Sequence, residues 1–247
     1  MAAFGDTMDT LANMKEAWNV RAQTDAEHYI ETDHWDGDRE AFFALGEKIV
    51  HHVADPYLPT QRRLAVDIGC GVGRLTRALG KRFDRAIGLD VSDEMVRKGN
   101  DLQRDTPNVE LMATDGVRFP IETGSVDFVF SYVVFQHMPS LDVIEGSLAE
   151  TRRVLAPGGA ALLHLKHRYK NPLHAAWQNL PAAIATPLQR LRGADPLKMS
   201  DSYRGVGPIS DTRLRAMFAA AGMTVRAMFD DDTHVPSHEY VWVHATV

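Results

Sequence analysis

Cysteine is almost missing from this chain: Cys70 is the single one in 247 residues. An intrachain disulfide and a cysteine-built zinc cluster are therefore excluded. Long apolar runs are missing as well, since none approaches the roughly 20 residues that span a bilayer. Met1 to Asp9 lacks the basic and apolar segments of a signal peptide, so a cytoplasmic location is the expectation. There is no basic surplus either, with 27 Lys and Arg against 33 Asp and Glu and a formal net charge of −6. That balance argues against a generally basic nucleic-acid surface and favours a small molecule as partner. The remaining composition, 45% hydrophobic and 24% charged, is ordinary for a globular protein. A chain of this length can bury roughly three quarters of its extended surface in one large domain without a covalent staple.

Against that background one stretch stands out, Val66-Asp67-Ile68-Gly69-Cys70-Gly71-Val72-Gly73. Leu64 to Ile68 reads as a buried strand, and the three alternate glycines read as the turn that lifts the chain from strand into helix. Glycine is needed where backbone takes positive φ or approaches a ligand closely, so this turn is the expected floor of a small-molecule site. A dinucleotide fingerprint G-x-G-x-x-G would place its third glycine at position 74, which is Arg74 here, so the nicotinamide reading weakens. Cys70, inside the turn, reads as a small residue that fits there and not as a nucleophile.

Two helical patterns precede the turn, at about 8–30 with Trp18, Arg21, Ala22 and Tyr29, and at about 38–54, where Pro56 stops an apolar stripe. From Leu64 onward short apolar runs alternate with helical patterns. Strands are expected at 64–69, 85–90, 108–113, 126–132 and 159–165, and helices at about 73–82, 92–104 and 140–155, the second capped by Ser92 with Glu94 in its first turn. This alternation is the signature of a doubly wound, mostly parallel α/β sheet, whose ligand site lies at the carboxyl ends of the strands. Asp90 closes the second strand, where an acidic side chain takes ribose hydroxyls. Thr114-Asp115-Gly116 closes the third.

Residues 166–208 break the alternation with Pro172, Pro181, Pro187, Pro196 and Pro208, and carry Arg168, Lys170, Arg190, Arg192, Lys198 and Arg204, a local basic bias suited to an anionic acceptor group. Short helices such as 172–185 are expected within them. A helix at 210–221, begun by Ser210 or Asp211 and ended by Gly222, then leads to strands at about 223–229 and 239–246. Their short connection requires antiparallel pairing. Asp230-Asp231-Asp232-Thr233-His234 between them reads as a solvated hairpin turn, and no metal is expected.

The pattern Asp-x-Gly-x-Gly-x-Gly at 67–73 resembles the first motif of the class I S-adenosylmethionine (SAM) dependent methyltransferases. The third strand's tip, the run Ser131 to Met138 after the fourth strand, and Arg152 to Gly159 resemble later motifs of that family in the same order. The resemblance is strong over about residues 60–165. It implies a Rossmann-like, seven-stranded sheet with a reversed C-terminal hairpin, and a single domain divided into an N-terminal helical cover (1–58), a SAM-binding core (60–165), an acceptor lid (166–208) and a C-terminal helix and hairpin (209–247). SAM is the implied cofactor and S-adenosylhomocysteine (SAH) the product. The residues implied to bind it are Asp67, Gly69, Cys70, Gly71, Gly73, Asp90, Val91, Met95, Thr114, Asp115, Gly116 and Ser131.

His137, just beyond the fourth strand, is the candidate general base, with His164 and His167 as weaker ones. The Pro-Cys nucleophile of cytosine methylation, the Asn/Asp-Pro-Pro-Tyr signature of amino methylation and a clear double-glutamate loop are absent. The layout is most like bacterial natural-product and sugar methyltransferases, so the expected partner is a small-molecule acceptor, with no nucleic acid and no membrane, and with a homodimer left open. The expected reaction is O-methylation of a hydroxyl. N-methylation of a small amine, an NAD-dependent oxidoreductase and a non-catalytic SAM-binding protein stand as alternatives.

Overall fold

The structure, a computed structural model, describes residues 2–31, 35–169, 171–178, 197, 205–233 and 239–247. The chain opens with helix α1 (Ala2–Ile30), broken at Asp25 by an extended residue, and α2 (Arg39–Ile49). Asp38 caps α2 by accepting from the amides of Glu40 and Ala41, satisfying two of the donors that a helix start leaves open. Pro56 does not stop the second pattern as one helix. Instead α2 widens into a π-helical turn (Val50–Ala54) and tightens into a 3-10 turn (Asp55–Tyr57) that carries the proline near its start, where its missing N–H costs nothing.

Strands β1 (Leu64–Ile68), β2 (Arg85–Asp90), β3 (Val109–Ala113), β4 (Val126–Ser131), β5 (Leu155–Lys166), β6 (Thr224–Asp230) and β7 (Tyr240–Thr246) form one sheet in the order β3-β2-β1-β4-β5-β7-β6. The first five are parallel neighbours, with Val66 beside Ile87 on one side and Val129 on the other. β7 runs antiparallel to both β5 and β6, the second pairing being the one its short connection required. This is the doubly wound sheet with a reversed C-terminal hairpin expected from the sequence.

One correction concerns β5. The strand expected at 159–165 begins at Leu155 and takes in Pro157-Gly158-Gly159, because α5 (Leu141–Val154) passes directly into strand there and a register shift between Val126 and Phe128 absorbs the extra residues.

Helices α3 (Arg74–Gly80), α4 (Asp93–Leu102), α5 and α7 (Asp211–Ala220) cover the sheet. Ser92, Ser140 and Ser210 cap α4, α5 and α7 by accepting an amide three residues on. On one face Ile144, Leu148, Leu214 and Phe218 pack against Val129, Leu163 and Val243. On the other, Ile49, Val53, Leu75 and Leu79 pack against Phe128, Phe130 and Trp242, whose rings stack. All six β4 residues are buried, as expected for a central parallel strand covered on both faces.

Within the expected 166–208 lid, β5 runs on to Lys166 and a short helix α6 (Pro172–Gln178) follows. Arg190, Arg192, Lys198 and Arg204 lie outside the described residues. No helix among the described residues is long and apolar enough to cross a membrane.

Candidate active site

The chain leaves β1 through Gly69, Gly71 and Gly73, all with positive φ (70°, 54° and 84°). A side chain at Gly71 would meet the Ile30 side chain at 2.5 Å, and one at Gly69 would run into Val134. Both positions therefore need glycine twice over, for conformation and for space. Gly73 instead caps the start of α3 and packs on Gln103 and Leu111. Cys70 is buried, with its sulfur against the position a side chain at Gly88 would take. Burial and the nearby carboxylates of Asp90 and Asp67 push its thiol well above the usual range, as suits a filler residue.

Above this turn lies a cavity of about 370 Å³, within the range of small-molecule sites. Of the residues named from the sequence, Asp67, Gly69, Cys70, Gly71, Asp90, Val91, Met95, Thr114, Gly116 and His137 line it. Gly73, Asp115 and Ser131 do not. Asp115 is exposed and accepts from the amides of Val117 and Arg118, which makes it a turn former. Ser131 is buried and donates to the Ile68 carbonyl at 3.0 Å, tying β4 to β1 just below the cavity.

Asp90 is held by two backbone donors, Gly71 N to Oδ2 at 2.9 Å and Ser92 N to Oδ1 at 2.8 Å. Each oxygen keeps capacity for one more donor, the arrangement that two vicinal hydroxyls need. Burial raises its pKa, and those backbone donors oppose the shift. Asp67, 2% exposed, accepts from Thr76 Oγ1 at 2.7 Å. Burial, with the Asp90 charge adding to it, lifts its pKa to about 7 against the opposing Thr76 hydrogen bond.

The sequence reading missed part of this wall. Arg74, the residue that spoiled the dinucleotide fingerprint, is buried and pairs with buried Glu31 at the end of α1, and its guanidinium lies 5.2 Å from the Phe42 ring centroid. Phe119, Val134 and Met138 add to the apolar lining. Trp18 and Tyr29, noted only as part of a helical pattern, also face the cavity because α1 folds back over the sheet. The local signal for Arg74 was its place one residue after the glycines. Glu31 had none, since its role depends on where α1 ends in space.

His137 sits in a 3-10 turn (Phe135–His137) past β4, its ring 5.5 Å from Trp18 in an edge contact. His164 lies inside β5, fully buried against Asp231, and His167 pairs with Asp211 at 2.7 Å. Asp231 is therefore not part of a solvated turn. It is 5% exposed, and its Oδ1 accepts from Thr233 N, Thr233 Oγ1 and Trp242 Nε1. Burial would raise its pKa, but His164 and Thr233 hold it well below the usual carboxylate range. His234 lies outside the described residues. Among the described residues no group of His, Cys, Asp and Glu could hold a metal.

Val133, between β4 and the 3-10 turn, has φ 60°, the only described non-glycine residue with positive φ. For a β-branched residue that conformation costs on the order of 1–3 kcal/mol and persists only where its surroundings hold it.

Residues 66–163 match the family model described as a methyltransferase domain. Over 101 residues the chain is 31% identical to the demethylmenaquinone methyltransferase of Staphylococcus carnosus, covering 40% of this chain and 41% of the relative. It is 29% identical over 133 residues to the chloroplastic tocopherol O-methyltransferase of Arabidopsis thaliana, covering 51% and 37%. The chain thus spans less than half the length of these curated relatives. Among solved structures, magnesium protoporphyrin IX methyltransferase from Synechocystis PCC 6803, with bound SAH, superposes with a TM-score of 0.60 at 17% identity, covering 95% of this chain and 98% of that one. The fold is that of the class I methyltransferases, whose cofactor is SAM, and residues 66–163 match a methyltransferase domain within it.

The cavity fits that cofactor. Its wall carries the carboxyl groups of Asp67, Asp90 and Glu31 against the guanidinium of Arg74. Such a balance suits a ligand with a cationic sulfonium and ammonium and opposes the pyrophosphate of a dinucleotide.

Proposed function

We propose that this chain transfers a methyl group from SAM to a hydroxyl of a small natural product or sugar, with His137 as general base. The observation that carries the proposal is the juxtaposition, along one cavity, of the Gly69–Gly71 turn, the Asp90 carboxylate and the His137 ring. When bound there, SAM supplies an electrophilic methyl group on sulfur. Asp90 offers its two remaining acceptor positions to the ribose hydroxyls, and the glycine turn lets main chain approach the methionine end. His137 in its neutral form accepts the acceptor's proton as oxygen attacks, a contribution of roughly 10²–10⁴ in rate. Alignment of the acceptor oxygen with the methyl group supplies several kcal/mol more. Apolar walls and the Trp18 ring beside His137 favour an acceptor with a flat apolar body. The named acceptors of the two curated relatives, demethylmenaquinone and tocopherol, support the same direction.

The test combines calorimetric titration of SAM, SAH and NADH with methyl-label transfer to a panel of phenolic, quinol, sugar and amine acceptors. SAM and SAH should bind and NADH should not. A hydroxyl acceptor should turn over, and His137→Asn should lower kcat by about 100-fold or more with SAM affinity nearly intact. Near-normal kcat in that variant would remove His137 from the chemistry. Turnover of amines alone would move the reaction to N-methylation, and tight NADH binding without SAM binding would defeat the methyltransferase reading.

A further inference from the structure

We propose that Asp231, acting through His164, is a positioning residue for the cofactor cavity: it sets the imidazole tautomer that clamps the strained Val133 turn. The proposal rests on the cavity being the SAM site. It assigns a role to Asp231, which comes from the end of the C-terminal hairpin's first strand, beyond residues 66–163.

Three donors converge on Asp231 Oδ1: Thr233 N at 3.0 Å, Thr233 Oγ1 at 2.6 Å and Trp242 Nε1 at 3.2 Å. The other oxygen, Oδ2, lies 3.2 Å from His164 Nε2. The approach lies off the line of a hydrogen bond, but an ionised carboxylate only accepts, so its charge favours a hydrogen on Nε2. The second ring nitrogen, Nδ1, lies 3.3 Å from the amide nitrogen of Val133, which only donates. Nδ1 must therefore be the bare, accepting nitrogen. The two neighbours together select the neutral Nε2–H tautomer, because an imidazolium or the opposite tautomer would set two hydrogens face to face at Val133.

What the clamp holds matters to the cavity. Val133 at φ 60° turns the chain out of β4, so that Val133 and Val134 line the cavity and Val134 packs directly onto Gly69 of the glycine turn. On the other side of the bend, the Tyr132 hydroxyl meets Thr233 Oγ1 at 2.6 Å. Since the Thr233 hydrogen is directed at Asp231, the tyrosine is the donor. Asp231 thus anchors the bend from both sides, and a left-handed valine keeps its place against the cofactor.

The test is Asp231→Asn, which preserves size. The three donors on Oδ1 force the amide oxygen to that position and place the NH2 opposite His164. The NH2 then donates to Nε2, driving the ring proton to Nδ1 and against the Val133 amide. Two-bond proton–nitrogen NMR, with the His164 signal identified by its loss in His164→Gln, should show the Nε2–H tautomer in the native protein and the Nδ1–H tautomer in the variant. SAH affinity measured by calorimetry should fall about tenfold, roughly the effect of one lost buried hydrogen bond. Adding Val133→Gly should restore it to within about threefold, since glycine takes positive φ without a clamp.

An inverted tautomer with SAH affinity unchanged would overturn the proposal, as would a charged or Nδ1–H His164 in the native protein. Failure of the native protein to bind SAH would defeat the cofactor reading alone. The relay would then be judged by hydrogen exchange of the Val133 amide, faster in Asp231→Asn if the clamp exists and equal if it does not.

Discussion

Replacing Asp67 by asparagine should make the protein more stable at neutral pH, and the gain should grow with pH in a defined window. The carboxyl is 2% exposed and its pKa is raised from 3.8 to about 7, first by burial and then by the Asp90 charge. A carboxyl whose folded value lies above its unfolded value prefers the protonated folded state. Its favourable contribution is complete below pH 3.8 and is lost as pH rises through about 7. A shift of about 3 pH units corresponds to roughly 4 kcal/mol, with a slope approaching 1.4 kcal/mol per unit inside the window. The asparagine side chain would be neutral throughout, and its amide oxygen can still accept from Thr76 Oγ1. Urea unfolding of both ligand-free proteins at half-unit steps from pH 5 to 8 isolates the carboxyl, because every other titrating group is common to the pair. The stability difference should move by about 2–3 kcal/mol in favour of the variant between pH 5 and 7 and then level off. Two curves that stay parallel across the range would refute the argument and mean that Asp67 titrates as an ordinary carboxylate.

Gly71→Val should abolish measurable SAM binding, since the position has φ 54° and an added side chain would meet Ile30 at 2.5 Å. A folded Gly71→Val protein that binds SAM with native affinity in calorimetry would contradict the glycine-turn account. Glu31→Gln leaves the buried Arg74 guanidinium without its charged partner, and should cost on the order of 3–5 kcal/mol in urea unfolding. A loss below about 1 kcal/mol would show that the pair is hydrated and contributes little.

The local pattern of this chain determined a great deal. Short apolar runs, period-3.6 hydrophobicity, serine caps at 92, 140 and 210, and glycines at 69, 71 and 73 are near-neighbour properties, and near-neighbour physics decides strands, helix starts and turns. The short link before β7 was enough to demand an antiparallel neighbour. Asp90 could be placed at the site from sequence because a strand tip after a glycine turn has one destination in a doubly wound sheet.

Tertiary structure alone decided which polar residues are buried and whom they face. Asp231 looked solvated in a run of three aspartates, yet Trp242, Thr233 and His164 converge on it from β7, its own turn and β5. Arg74 looked like a misplaced glycine until α1 brought Glu31 against it. Val133 gave no sign of its left-handed bend, since a β-branched residue carries no local preference for it. In each case the deciding energy is the desolvation of a charge or the strain of a backbone, and both are set by partners far away in the chain.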